Sequence, residues 1–206
     1  MKAKVIELDD STHLIDLPHE PGPEKTLAGG IVLRKVSEVE SKPIDWLWRG
    51  RIASGKVALL TGDPDTGKSF LTCAMAATVS RGFPWPDGAT CEYGSVIMIS
   101  SEDSIEDTIR PRLEAYDADL DKVHFIESVN RGRKKDCWFS IAEDLGALSE
   151  ALDQVGDTRL VIIDPISAYL GDIDSHVNAQ VRGVMGPLAS LADKHRCAFL
   201  GLSHLT

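Results

Sequence analysis

The segment VALLTGDPDTGKS, at residues 57–69, decides the fold of this chain. Its first four residues form an apolar run typical of a buried strand. From Gly62 to Ser69 it matches the pattern GxxxxGK followed by Ser or Thr, in which glycines let backbone N–H groups turn inward around phosphate groups. The helix after such a loop points its positive N-terminus at the same phosphates. We therefore predict a strand, a phosphate-binding loop and a buried helix that runs from Ser69 to Arg81 and is closed by Gly82.

The loop also predicts which residues hold the phosphates and a metal ion. We expect Lys68 to reach the β- and γ-phosphates of a nucleotide and the Ser69 hydroxyl to ligate Mg²⁺. Asp63 and Asp65 place two carboxylates in a loop that holds polyphosphate, so we expect both to point outward, because like charges repel. The residues predicted to contact the nucleotide are Gly62, Asp63, Pro64, Asp65, Thr66, Gly67, Lys68, Ser69 and Phe70.

Apolar strands alternate with helices along the rest of the chain. Strands are predicted at 95–100, 123–126, 160–163 and 198–202, and helices at 104–116, 143–155 and 177–195. Continuous apolar strands between helices indicate an α/β fold with a mostly parallel central sheet covered by helices on both faces. A basic turn at 131–135 predicts an edge hairpin. Residues 1–28 are interpreted as a charged N-terminal arm or linker, and residues 29–206 as the core domain.

Polar residues follow three of the predicted strands. Asp164 ends the run LVIID at 160–164, and we expect its carboxylate to hold Mg²⁺ beside the loop serine. Glu102 and Asp103 follow another strand, and we favour Glu102 as the base for the water that attacks the γ-phosphate. The alternative is that both acids cap a helix beginning at Ser104. His204, at the end of the last strand, is either a γ-phosphate sensor or an ordinary structural histidine.

Composition excludes several classes of protein. With 22 Lys and Arg against 32 Asp and Glu, the net charge is −10, which excludes a histone-like protein that binds polyanions over its whole surface. No apolar stretch is long enough to span a bilayer and the N-terminus has no signal-peptide core, so we expect a cytoplasmic protein without a membrane partner. The four cysteines form no CxxC pair and are expected to be reduced. The four tryptophans are interpreted as packing residues rather than as platforms for base stacking.

Eight short motifs occur in order along the chain: WLW at 46–48, GRI at 50–52, GK at 55–56, GDP at 62–64, FPWPDG at 83–88, SED at 101–103, DP at 164–165 and SH at 203–204. Over residues 33–206 this series resembles the RecA-fold AAA ATPases related to RepA-type hexameric replicative DNA helicases. The resemblance implies a RecA-like P-loop core that uses ATP and Mg²⁺ and assembles as a hexameric ring of identical subunits. It also implies Glu102 as the base, Asp164 on magnesium and His204 as the sensor.

The same resemblance predicts what lies outside this segment. In the family a loop for single-stranded DNA and an arginine finger follow the sensor strand, so they are expected beyond residue 206, and the core is expected to be C-terminally truncated here. The expected function is Mg²⁺-dependent ATP hydrolysis within a DNA helicase of replication or recombination.

Two alternatives stay open. A small-molecule kinase needs a lid of clustered arginines, for which Arg110, Arg112 and the 131–135 region are poor candidates. A nucleotide-dependent assembly switch is favoured by Asp65, which replaces a residue that is commonly small in relatives.

Overall fold

A computed structural model describes residues 25–26, 32–170 and 178–204 of the chain. The chain divides into two units, one ending at Pro43 and one beginning at Ile44. In the first unit, strand β1 (Lys25–Thr26) pairs antiparallel with β2 (Val32–Leu33), and a single 3-10 turn follows at Val36–Glu38.

The second unit contains the remaining helices and strands. Its strands are β3 (Trp46–Trp48), β4 (Ile52–Ala53), β5 (Val57–Gly62), β6 (Ser95–Ser100), β7 (Val123–Phe125), β8 (Val129–Arg131), β9 (Lys134–Cys137), β10 (Thr158–Asp164) and β11 (Ala198–His204). Its α-helices are α1 (Lys68–Arg81), α2 (Arg110–Ala115), α3 (Ile141–Val155) and α4 (Asn178–His195). Short 3-10 turns lie at Leu120–Lys122 and Ile166–Tyr169, and a π-turn lies at Ile105–Ile109.

Five strands form one parallel sheet in the order β5, β11, β10, β6, β7. Side chains alternate between the two faces of a strand, and both faces of β10 are apolar. Leu160 and Ile162 pack in a core with residues of α1, whereas Val161 and Ile163 pack in a second core with residues of α3 and α4. The prediction of an α/β fold with a parallel sheet and helices on both faces is therefore confirmed.

The helix predicted at 104–116 is interrupted. The chain makes a π-turn at Ile105–Ile109 before α2, and Pro111 stands near the start of α2. Proline has no N–H to donate to the carbonyl four residues earlier, which favours a wider turn before it. Ser104 is the N-cap residue of this turn, but its hydroxyl donates to the Glu106 carboxylate at 2.9 Å and makes no capping hydrogen bond.

The basic hairpin is formed by β8 and β9, which pair antiparallel across a tight turn at Gly132 and Arg133. Gly132 has φ +60°, a left-handed conformation that such turns require and that glycine adopts at little cost. Arg131 ties the hairpin to α3, because its guanidinium donates to both carboxylate oxygens of Asp144 at 2.8 and 2.5 Å. Asp144 is only 4% exposed and also accepts from the Ser140 N–H at 2.7 Å.

The tryptophans occupy different environments. Trp48 and Trp85 stack with their ring centroids 4.4 Å apart, and the buried Trp85 indole donates to the Leu47 carbonyl at 2.8 Å. Trp138, which follows the hairpin, is 69% exposed. The interpretation of the tryptophans as packing residues is therefore wrong for Trp138. Among the residues that the structure describes, no helix has both the length and the apolar character needed to cross a bilayer.

The Arg131–Asp144 ion pair, which ties the hairpin to α3, makes stability depend on pH. We expect Asp144→Asn to lower the free energy of unfolding at pH 7 by about 1–3 kcal/mol, because Arg131 loses a charged acceptor in a mostly buried position. Hydrogen bonds from Arg131 hold the pKa of Asp144 below its ordinary value of 3.8. The stabilisation is therefore complete above that ordinary value and is lost as the pH falls below it.

Urea denaturation of the wild type and Asp144→Asn at pH 7 and near pH 3 measures this difference, which should shrink at the lower pH. Asp136→Asn is the matched control, since Asp136 is an exposed carboxylate on the same hairpin. Equal stability of the two variants at pH 7 would contradict the role of the Arg131–Asp144 pair.

Candidate functional site

The loop between β5 and α1 has the backbone shape that a phosphate-binding loop needs. Asp65 and Gly67 have φ values of +60° and +84°, both in the left-handed region. Such residues turn successive N–H groups toward one side and form a concave anion site. Aspartate tolerates this conformation better than most residues, which explains how Asp65 is accommodated. The Thr66 hydroxyl donates to the Asp63 carbonyl at 2.8 Å and braces the turn.

Lys68 begins α1 and its side chain folds back over the loop. Its ammonium group donates to the carbonyl oxygens of Gly62 at 2.9 Å and Asp63 at 2.7 Å. The charge of Lys68 is thus held against the backbone of the loop, at the N-terminus of a 14-residue helix. A cation, inward N–H groups and a helix N-terminus are together the features that bind a polyphosphate.

Ser69 and Asp164 lie in contact although the strands that lead to them, β5 and β10, are not neighbours in the sheet. β11 lies between β5 and β10 in the sheet, yet the first turn of α1 brings the Ser69 hydroxyl to the Asp164 carboxylate, 2.9 Å away. Asp164 ends β10 and is 6% exposed. A hydroxyl and a carboxylate are oxygen ligands of the kind that Mg²⁺ takes together with substrate phosphates. The donor set at this position therefore fits a magnesium nucleotide.

The two acids after β6 have different surroundings. Glu102 is exposed and faces the same cavity as Lys68 and Ser69. Asp103 instead forms an ion pair with Arg112 of α2 at 2.6 Å. The Arg112 guanidinium also lies 4.3 Å from the centre of the Phe70 ring, which is half exposed at the start of α1. The carboxylate of Asp103 therefore holds α2 through Arg112 rather than capping it. Both acids line the cavity, and Asp103 is the one of the two that is paired with Arg112 there.

A cavity of about 470 Å³ joins these elements. Eight of the residues predicted from the sequence line it, together with Asp103 and Arg112; they are Pro64, Asp65, Gly67, Lys68, Ser69, Phe70, Glu102 and Asp164. The other predicted loop residues, Gly62, Asp63 and Thr66, belong to the loop but do not line the cavity. From the sequence, Arg112 is only a poor candidate for a kinase lid; its place at this cavity depends on tertiary contacts with Asp103 and Phe70, which the sequence does not indicate.

The structure also locates the backbone of the predicted sensor. His204 is the last residue of β11 and pairs with Gly62 at the start of the loop. Its side chain lies outside the residues whose side chains the structure describes. A role for His204 in sensing the γ-phosphate stays a prediction.

These features together define a class of protein. A phosphate-binding loop between a parallel strand and a helix, with a hydroxyl, a carboxylate and a lysine around one cavity, is the site of a P-loop nucleoside-triphosphatase. A comparison with protein families agrees, since a family model described as an AAA domain matches residues 23–206. The chain belongs to this family of nucleotide-dependent ATPases. The comparison with curated proteins finds no match.

Proposed function

We propose that this chain is the Mg²⁺-dependent, ATP-hydrolysing core of a ring-forming DNA helicase of the RepA type. The observation that carries the ATPase part is the Ser69 to Asp164 hydrogen bond of 2.9 Å, in the cavity that Lys68 and Glu102 also line. ATP hydrolysis needs a cation for the phosphates, oxygen ligands for a metal and a carboxylate for water. These three requirements are satisfied by residues around one cavity.

Each residue has a distinct part in the proposed reaction. The loop N–H groups and Lys68 bind and orient the β- and γ-phosphates. Ser69 and Asp164 hold Mg²⁺, which when bound with ATP neutralises phosphate charge. Glu102 accepts the proton of the attacking water at its carboxylate, while His204 contacts the γ-phosphate. Asp103 is a poor base by comparison, because its carboxylate is already paired with Arg112.

The helicase part of the proposal rests on the ordered series of motifs, which includes the strand-end acids and Ser203-His204. In this proposal six copies form a ring with ATP between subunits, and single-stranded DNA is the substrate on which the ring moves. Family membership supports the ATPase core on which such a ring depends.

Three of the four arginines considered for a small-molecule kinase are held in ion pairs. Arg110 pairs with Glu114 at 2.9 Å, Arg112 pairs with Asp103, and Arg131 is bound to Asp144. A kinase lid needs arginines that can turn toward the transferred phosphate. These contacts therefore favour hydrolysis over transfer to a small molecule.

The proposal is tested by phosphate release in Mg²⁺ and in EDTA, with and without single-stranded DNA, together with sedimentation velocity in ATP. We expect release only with Mg²⁺. Stimulation by DNA and a hexameric species are expected of a protein that also carries the family's DNA loop and arginine finger. Asp164→Asn should lose most of the release, because the metal loses a carboxylate ligand, while Asp157→Asn, just before β10, should retain it. ATP-dependent assembly without phosphate release would instead favour the assembly switch, and a monomer that ignores DNA when that loop and finger are present would contradict the helicase.

A further inference from the structure

The β8–β9 hairpin stands at the same edge of the sheet as the nucleotide cavity. The five strands are parallel, so their carboxyl ends share one edge, where β5, β6 and β10 lead to Lys68, Glu102 and Asp164. The hairpin follows the carboxyl end of β7, and β7 pairs with β6. A ligand bound at the hairpin is therefore one strand away from the element that carries Glu102.

The hairpin carries three cations beside its turn, at Arg133, Lys134 and Lys135, and all three are exposed. Within the described ranges none of them has an ion-pair partner, whereas Arg131, which precedes the turn, is bound to Asp144. The chain as a whole has a charge of −10. This concentration of positive charge is thus local, and it is exposed where a polyanion could reach it.

The same hairpin leads into an exposed aromatic ring. Trp138 follows the end of β9 and is 69% exposed, in contrast to the buried Trp85. Arg131 donates to the Trp138 carbonyl at 2.9 Å as well as to Asp144, so the backbone at Trp138 is fixed to β8 and to α3. An indole that is held by its backbone and free on its face loses little conformational entropy when it stacks on a ligand.

We propose that the β8–β9 hairpin and Trp138 form a binding site for single-stranded nucleic acid. Arg133, Lys134 and Lys135 contact phosphates, and Trp138 stacks on a base. A row of cations together with an exposed aromatic ring is how proteins bind single strands without sequence preference. An acidic protein surface could be bound by the cations alone. The exposed indole favours a nucleic acid, whose bases can stack on it. This inference names a contact for the DNA of the proposed function and rests on that function.

The test is the fluorescence anisotropy of a labelled oligothymidylate titrated with the 206-residue chain at two salt concentrations. Trp138→Ala should weaken binding by about tenfold, and Trp138→Phe should restore part of it, because base stacking is lost and then partly regained. The double variant Lys134→Glu with Lys135→Glu should weaken binding. The slope of log K against log salt concentration should become shallower by about 0.7 for each phosphate contact that is lost. Lys56→Glu is the matched control, since Lys56 is an exposed lysine at the opposite edge of the sheet.

Three outcomes separate this inference from the proposed function. If the hairpin variants bind the oligonucleotide like the wild type while ATP is hydrolysed, the inference is wrong and the ATPase stands. If the wild type binds the oligonucleotide through the hairpin but hydrolyses no ATP, the binding site stands and the proposed function fails. If the variants change only self-association in sedimentation velocity, the hairpin is a protein contact and the inference is overturned.

Discussion

Lys68→Ala is expected to lower the affinity for ATP by at least about 100-fold, because hydrogen bonds to a charged partner contribute roughly 1.5–3 kcal/mol each. The ammonium group of Lys68 lies over the loop, bonded to the Gly62 and Asp63 carbonyls, and is the lysine that lines the cavity. The loop N–H groups remain in the variant, but they carry no full charge to oppose that of the phosphates.

Calorimetric titration with ATP and Mg²⁺ measures the loss. Lys56→Ala serves as the control, since Lys56 precedes β5 and its exposed side chain pairs with Asp193 at 3.5 Å. Circular dichroism of both variants verifies the fold. Unchanged affinity in Lys68→Ala would mean that the phosphates do not bind in this loop.

Glu102→Gln is expected to retain ATP affinity near that of the wild type while phosphate release falls by about 10²–10⁴-fold. The amide has the size of the carboxylate but cannot accept the proton of the attacking water. A general base acts in the transition state, so the loss should appear in kcat and not in binding.

Asp103→Asn is the matched variant, one residue along the chain. Asp103 pairs with Arg112 at 2.6 Å, so its loss should lower stability by about 1–3 kcal/mol and leave most of the turnover. Comparison of phosphate release and of urea denaturation in the two variants separates the roles. If Asp103→Asn abolished hydrolysis and Glu102→Gln did not, the assignment of the two acids would be reversed.

The sequence was informative where local chemistry determines structure. The glycines and Lys68 of the loop, and the apolar run that ends at Asp164, predict a strand, a loop and an acid at the sheet edge. The approach of Ser69 to Asp164 follows from the order of the strands, which depends on long-range pairing through β11. Periodicity along one segment carries no information on such pairing.

Two features could not be read from the sequence, because both depend on tertiary contacts. Arg112 of α2 contacts Phe70 at the start of α1 and Asp103 after β6, and periodicity along one segment does not indicate such contacts. Trp138 is exposed, whereas a tryptophan considered by itself is expected to pack.

The most direct test of the whole account is phosphate release by the wild type, Lys68→Ala and Glu102→Gln, measured side by side with Mg²⁺ at an ATP concentration just sufficient to saturate the wild type. The account predicts release by the wild type and a loss in both variants, through binding in Lys68→Ala and through turnover in Glu102→Gln. Release by Lys68→Ala at the wild-type rate would contradict the assignment of this cavity as the site of ATP hydrolysis.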